Sequence, residues 1–184
     1  MMLLRLFSRY GGCVAGFFLL AAGLAAADLR PAIKRELAKC AAAWQREDLS
    51  TAVAYMPTRV VQQSGGRAAV LAELKEHFAE ARRLGAETFE VVPGAPSAPK
   101  AIGGWLTALV PVTATVRGAH ADLTQDTHVL ALSSDQGKRW SFVLLYDVTA
   151  GELNRWFPEF KGRVTVPSTP QPRVKLGVLN GWLE

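Results

Sequence analysis

One ionisable side chain in an apolar stretch of the sequence, that of His77, could take part in proton transfer. It lies on the apolar face of a predicted helix. Burial among apolar side chains shifts the pKa of such groups, so that they can act as acid or base near neutral pH. A histidine on an apolar face can equally be a hydrogen-bonded core residue, and both interpretations stay open.

Other chemistry has weaker support in the sequence. Asp122, Asp126 and His128 cluster near one end of a predicted hairpin and could ligate a metal, but their turn-rich surroundings favour solvated side chains. No metal or cofactor is therefore predicted. Gly65-Gly66-Arg67 lacks the lysine and hydroxyl partners of a phosphate-binding loop. Cys40 falls on the apolar stripe of the first helix, which favours a small buried hydrophobe over the alternative of a reactive thiol.

The segment Ser133–Trp140 fits the Asp-box pattern Ser-x-Asp-x-Gly-x-x-Trp, best known from sialidase-like propellers. The chemistry of this pattern is structural, because its carboxylate accepts hydrogen bonds from the turn and its glycine takes a positive φ. A single copy cannot build a propeller, which needs several blades. The pattern predicts a β-hairpin rather than glycosidase activity.

Composition limits the class of protein. The 184 residues are 49% hydrophobic and 20% charged, which is too apolar for a disordered chain. Two cysteines exclude a disulfide-rich scaffold. The net charge is +5, but the basic residues are scattered and do not alternate with aromatic ones, so no nucleic-acid partner is predicted.

Residues 1–27 are predicted to be a secretory signal peptide. Arg5 and Arg9 precede an uncharged apolar stretch, and Ala25 and Ala27 provide small residues for cleavage before Asp28. An uncleaved membrane anchor is the alternative, since the uncharged stretch just reaches spanning length. Cleavage predicts a periplasmic or secreted protein without a stable membrane span.

After residue 27, the spacing of apolar residues changes once, from a helical period to a strand-like period. Helical spacing over residues 30–44, 48–56 and 67–85 gives way to strand-like runs at 88–92, 105–117, 124–133 and 140–147. A short helix at 152–157 and a Pro-rich end follow. This order predicts an α+β domain over residues 28–160, with N-terminal helices packed on a strongly curved antiparallel sheet, and a Pro-rich tail over 161–184.

The layout resembles the NTF2-like superfamily, also called SnoaL-like or cystatin-like. The resemblance depends on a helix ending near Trp44, on Tyr55-Met56-Pro57, and on Gly65-Gly66-Arg67 opening the next helix. Ala108–Pro111 and Ser133–Phe142 are similar to segments of small exported bacterial proteins of unknown function. The resemblance implies a cone-shaped pocket between the helices and the sheet. The residues expected to line it are Trp44, Tyr55, His77, Phe78, Trp105 and Phe142, although they could also simply fill the cone.

Three functions remain compatible with these observations. The first is a non-catalytic domain that binds a small apolar ligand or a protein partner in the cell envelope. The second, implied by ketosteroid-isomerase-like and dehydratase-like members of the superfamily, is an enzyme that uses Tyr55 and His77. The third is a structural homodimer, formed through the sheet and lacking a pocket.

Overall fold

The computed structural model describes residues 28–176, so the predicted signal peptide and residues 177–184 lie outside the described part. The elements in chain order are α1 (Arg30–Gln45), α2 (Leu49–Ala54), α3 (Thr58–Gln63), α4 (Arg67–Arg83), β1 (Ala86–Pro93), β2 (Lys100–Ile102), β3 (Trp105–Gly118), β4 (Ala121–Ser133), β5 (Ser141–Leu144), α5 (Ala150–Trp156), a 3₁₀ turn (Pro158–Phe160) and β6 (Arg173–Leu176). The predicted α+β class with a curved sheet is confirmed, since helices precede a strongly curved antiparallel half-barrel.

Local residue chemistry fixes the helix boundaries. Pro31 lies in the first turn of α1, where its missing N–H is not needed. Asp48 caps α2 by accepting a hydrogen bond from the Thr51 N–H at 3.1 Å. Gly66, with φ of 88°, lets the chain turn sharply into α4. These boundaries place α1, α2 and α4 as three separate segments before the sheet.

Two long strands form the centre of the sheet. β3 and β4 pair antiparallel from Leu106 opposite Ser133 to Arg117 opposite Asp122. β1 and β2 pair with the outer edge of β3, and β5 and β6 pair with the outer edge of β4. Each central strand is therefore flanked by two shorter strands, and the antiparallel hairpin predicted for β4 and β5 is confirmed.

Each face of the sheet carries its own core. On the face covered by α1, which we call the α1 face, Ile33 and Leu37 pack against alternate residues of β3 and β4 such as Val110 and Val129. The α5 face bears a second core, whose buried members are Val60, Leu130, Leu132, Val143, Leu145, Leu153, Phe157 and Phe160. Because side chains alternate across a strand, neighbouring residues of β4 belong to different cores.

One short helix and two short strands were absent from the sequence-based prediction. α3 and β2 are only 6 and 3 residues long, too short to show a period. β6 lies in the segment interpreted as a Pro-rich tail, yet it pairs with the first residues of β4. The Gln125 amide also donates to the Pro170 carbonyl at 2.7 Å. Part of the tail is therefore integrated in the sheet.

The Asp-box segment forms the turn of the β4–β5 hairpin. The Asp135 carboxylate accepts hydrogen bonds from the Arg139 N–H and from the Arg139 guanidinium, both at 2.9 Å. Ser133 Oγ accepts from the Gly137 N–H at 2.8 Å, and Gly137 has φ of 89°. Trp140 is buried in the α1-face core. The predicted structural role of the carboxylate and the glycine is thus confirmed.

The folding stability of the protein is expected to depend on the ionisation of the Asp135 carboxyl group. The Arg139 side chain, followed by the Arg139 backbone N–H, holds the pKa of Asp135 below its ordinary value of 3.8. The stabilisation is therefore present above pH 3.8 and is lost as the pH falls through the lower, folded-state pKa. Asp135→Asn should lower the melting temperature at pH 7, and its difference from the wild type should shrink steadily below pH 4.

Thermal unfolding between pH 2 and pH 7 measures this difference. Glu73→Gln is the matched control, since it removes a carboxylate from an exposed position on α4. A difference between Asp135→Asn and the wild type that stays constant down to pH 2 would contradict the role given to the carboxylate.

Candidate functional site

A cavity of about 460 Å³ lies between α1, α4 and the α1 face of the sheet, and it extends past the edge at β5 to Val60, Val143 and Trp156 of the α5-face core. Five of the residues expected from the sequence border it: Trp44, Tyr55, His77, Phe78 and Phe142. Its size falls within the usual range for small-molecule sites, and its walls are predominantly apolar, as such sites generally are. The helices and the curved sheet therefore leave this space unfilled by the chain's own side chains.

The floor of the cavity crosses the sheet. Val91 of β1, Ala114 of β3, Val129 of β4 and Leu144 of β5 all border it, and these strands are neighbours in the order β1, β3, β4, β5. Three strand spacings correspond to about 14 Å. The space is thus elongated rather than spherical, and it suits an extended molecule.

Helix α4 forms a loosely packed wall of the cavity. Only Val70 is buried among its 17 residues, whereas Leu71, Leu74 and Phe78 on its apolar face are half-buried. The N-terminal end of the helix is held by a polar contact. The Arg67 guanidinium donates to the Ser50 carbonyl at 2.8 Å. The apolar face of α4 therefore borders open space instead of a filled core.

Aromatic rings line both ends of this space. At the α4 end, Phe78 lies 4.6 Å from Phe89 and 6.0 Å from Trp44, measured between ring centroids. At the β5 end, the rings of Tyr55 and Phe142 are 5.9 Å apart. Aromatic walls provide large apolar contact areas at low conformational cost, which favours binding of a flat or extended apolar molecule.

Tyr55 borders the cavity and carries a polar group. The Tyr55 backbone carbonyl accepts a hydrogen bond from the Phe142 N–H at 2.8 Å, which ties the end of α2 to the edge of β5. The Tyr55 hydroxyl donates to Glu36 Oε2 at 3.5 Å. Burial, followed by the Glu36 charge, raises the pKa of Tyr55. The hydroxyl therefore stays protonated at neutral pH.

Glu36 was not singled out from the sequence. It lies 19 residues from Tyr55 among charged residues of α1, where nothing distinguishes it from a solvated carboxylate. In the structure, Lys39 donates to it at 3.0 Å and lowers its pKa. Its helical position, one turn from the buried Ile33 and Cys40, is the signal that could have placed it beside the cavity.

His77 lies on α4 at the rim of the cavity and is exposed. An acid–base role of the kind expected for this residue requires an apolar enclosure that shifts its protonation. The rim position gives His77 contact with solvent instead. The geometry thus offers no enclosed pair formed by Tyr55 and His77.

Trp105, also expected in the pocket, lies elsewhere. Its indole N–H donates to Glu159 Oε1 at 2.7 Å, and its ring meets Phe157 edge-on at 5.5 Å, within the α5-face core. Arg59 pairs with the same carboxylate at 2.8 Å. Trp105 therefore holds the 3₁₀ turn against the sheet and does not border the cavity.

Two of the three residues considered as metal ligands form ion pairs. Asp126 pairs with Arg173 at 2.6 Å and accepts from Thr113 at 2.8 Å, and Asp122 pairs with Arg117 at 3.5 Å. His128 is half-buried opposite Pro111. Within residues 28–176, no group of three or more His, Cys, Asp and Glu side chains is placed to hold a metal ion.

Cys40 borders the cavity but is buried, with 5% of its surface exposed. Burial raises the pKa of its thiol to about 11.

Because the thiolate is the reactive form, we expect iodoacetamide at pH 8 to modify Cys40 at least about a hundredfold more slowly than an exposed cysteine. Mass spectrometry of the peptide that contains Cys40 follows the reaction, with the urea-unfolded protein as control. Equal rates in the folded and unfolded protein would refute the burial of this thiol.

Among the helices between residues 28 and 176, none combines the length and the apolar character needed to cross a bilayer. The chain was also compared with family models, with curated proteins and with solved structures, and it matches none of them.

Proposed function

We propose that this chain is an exported, non-catalytic protein of the NTF2-like kind that binds a small apolar ligand in the cell envelope. The observation that carries the proposal is the elongated apolar cavity of about 460 Å³. Folded chains generally close such apolar spaces, because interiors are packed at crystal-like density. An unfilled apolar cavity next to a loosely packed helix therefore favours a ligand-binding role.

The NTF2-like assignment has two supports. The sequence pattern around Tyr55-Met56-Pro57 and Gly65-Gly66-Arg67 resembles that superfamily. The helices packed on a curved antiparallel sheet are the architecture that the resemblance implies. We therefore propose that the cavity corresponds to the pocket of that superfamily, although Trp105 does not border it.

Titration with an uncharged fluorescent probe tests the binding function. N-phenylnaphthylamine gains fluorescence in apolar sites, and we expect saturable binding with one probe per chain. A linear rise in fluorescence without saturation, or binding only after unfolding, would reject the proposal. Carbonic anhydrase, added at the same concentration, controls for non-specific surface binding.

The proposed location is tested separately. The sequence from Arg5 to Ala27 has the three parts of a signal peptide. The protein recovered from the periplasm of a bacterial host should begin at Asp28. Recovery only from the cytoplasm with Met1 intact would contradict export, whereas recovery with the membrane fraction would favour the retained anchor.

The two alternatives have less support. The enzyme hypothesis depends on His77 as a buried base, and His77 is exposed. The homodimer hypothesis has a specific observation in its favour, because Leu123 and Val174 form an exposed cross-strand pair on β4 and β6, with 40% and 60% of their surfaces accessible. Sedimentation analysis distinguishes a dimer from a monomer.

A further inference from the structure

We propose that the ligand is an uncharged apolar molecule whose polar end donates a hydrogen bond to the Tyr55 hydroxyl oxygen. A long-chain alcohol has this chemistry, whereas a carboxylate, an ether and an ester do not. This inference rests on the binding function proposed above and specifies the chemical class of the ligand.

Within residues 28–176, the side chains around the cavity offer no free counter-charge to a charged ligand. The titratable side chains that border it in the described part of the chain are Cys40, Tyr55, His77 and Glu90. Glu90 is paired with Arg117 at 3.0 Å, and His77 lies at the exposed rim. A charged end group placed inside would lose its hydration without gaining a free counter-charge, which is costly. An uncharged end group avoids that cost.

The Tyr55 hydroxyl is expected to accept a hydrogen bond from the ligand, because its own proton is already donated to Glu36. A phenol has one proton to donate and lone pairs that accept. The Tyr55 hydroxyl donates its one proton to Glu36 Oε2, with 3.5 Å between the two oxygens, and its own oxygen is therefore left as an acceptor. A ligand hydroxyl can donate to that oxygen, whereas an ether or ester oxygen would have to compete with a carboxylate for the phenol proton.

Two basic side chains keep the Glu36 carboxylate ionised. Lys39 and Arg35 contact the same carboxylate at 3.0 and 3.3 Å, and both cations are largely in solvent. They keep Glu36 ionised, since the Lys39 hydrogen bond lowers its pKa. An ionised Glu36 is an acceptor only, so the direction of the Tyr55 hydrogen bond is fixed at neutral pH.

The experiment compares three ligands of equal chain length: octanol, its methyl ether and octanoate. Each displaces N-phenylnaphthylamine from the purified protein at pH 7.5, where octanoate is ionised. We expect octanol to bind about three- to tenfold more tightly than the ether, which corresponds to one neutral hydrogen bond. Octanoate should bind at least about tenfold more weakly than octanol.

Two variants separate the hydrogen bond from general changes in packing. In Tyr55→Phe, octanol should bind only as tightly as the ether. In Glu36→Ala, the freed phenol proton can be donated to the ether oxygen, so the ether should gain affinity and the preference for octanol should disappear. Glu73→Gln, on the exposed side of α4, should keep the wild-type order of affinities.

The outcomes are distinct. If the probe does not bind, the proposed binding function fails and this inference falls with it. If the probe binds but the three ligands displace it equally, the binding function stands and the inference is wrong. A wild-type preference for octanoate, or an octanol preference that persists in Tyr55→Phe, would also overturn the inference.

Discussion

Ala114→Phe is expected to abolish probe binding while leaving the protein folded. Ala114 lies on β3 in the floor of the cavity, opposite Val91 and Gln125 in the strand pairing. A phenyl group at this position would occupy the space between the sheet and α4. We expect affinity for N-phenylnaphthylamine to fall by about a hundredfold or more.

The stability of the same variant should change by less than about 1 kcal/mol, because the added ring enters existing space and does not displace packed atoms. Denaturant unfolding measures this. Val92→Phe is the matched control, since it adds the same atoms to an exposed site on β1, away from the cavity. Unchanged probe affinity in folded Ala114→Phe would show that the probe binds elsewhere.

Phe157→Ala should destabilise the protein by about 3–5 kcal/mol, the usual cost of removing a buried phenyl group. Phe157 is completely buried, stacks on Phe160 at 4.9 Å and meets Trp105 edge-on at 5.5 Å. These contacts hold α5 and the 3₁₀ turn to the α5 face of the sheet. Urea unfolding followed by circular dichroism measures the loss.

The control for this variant is Leu84→Ala, which removes an apolar side chain with 79% of its surface exposed and should change stability by less than about 0.5 kcal/mol. Phe157 itself does not border the cavity, although Val60 and Val143 of the same core do. A destabilisation below about 1 kcal/mol would show that the second core contributes little to folding.

The sequence predicts the parts of the fold that have a clear local signal. α1 and α4 show a helical period over 16 and 17 residues, and the Asp-box pattern locates the β4–β5 turn. α3 and β2 are too short for a period. β6 has no local signal that separates it from the extended tail, since its pairing with β4 is a contact between residues about fifty positions apart along the chain.

The candidate site is predicted where side chains share a helical face and missed where strand register decides. Trp44, His77 and Phe78 follow from the apolar faces of α1 and α4. Trp105 was expected beside them, but it belongs to the alternate residues of β3 that face α5. The alternation of residues along a strand assigns them to two faces, but it does not show which face the helices cover. The sequence alone could therefore not place Trp105.

Native mass spectrometry of the protein isolated from the envelope of its own host shows whether the cavity carries a ligand. We expect one uncharged molecule bound per chain, removed by organic extraction and absent from Ala114→Phe isolated in the same way. A bare wild-type chain that also fails to take up added octanol would contradict the claim that this cavity binds a ligand.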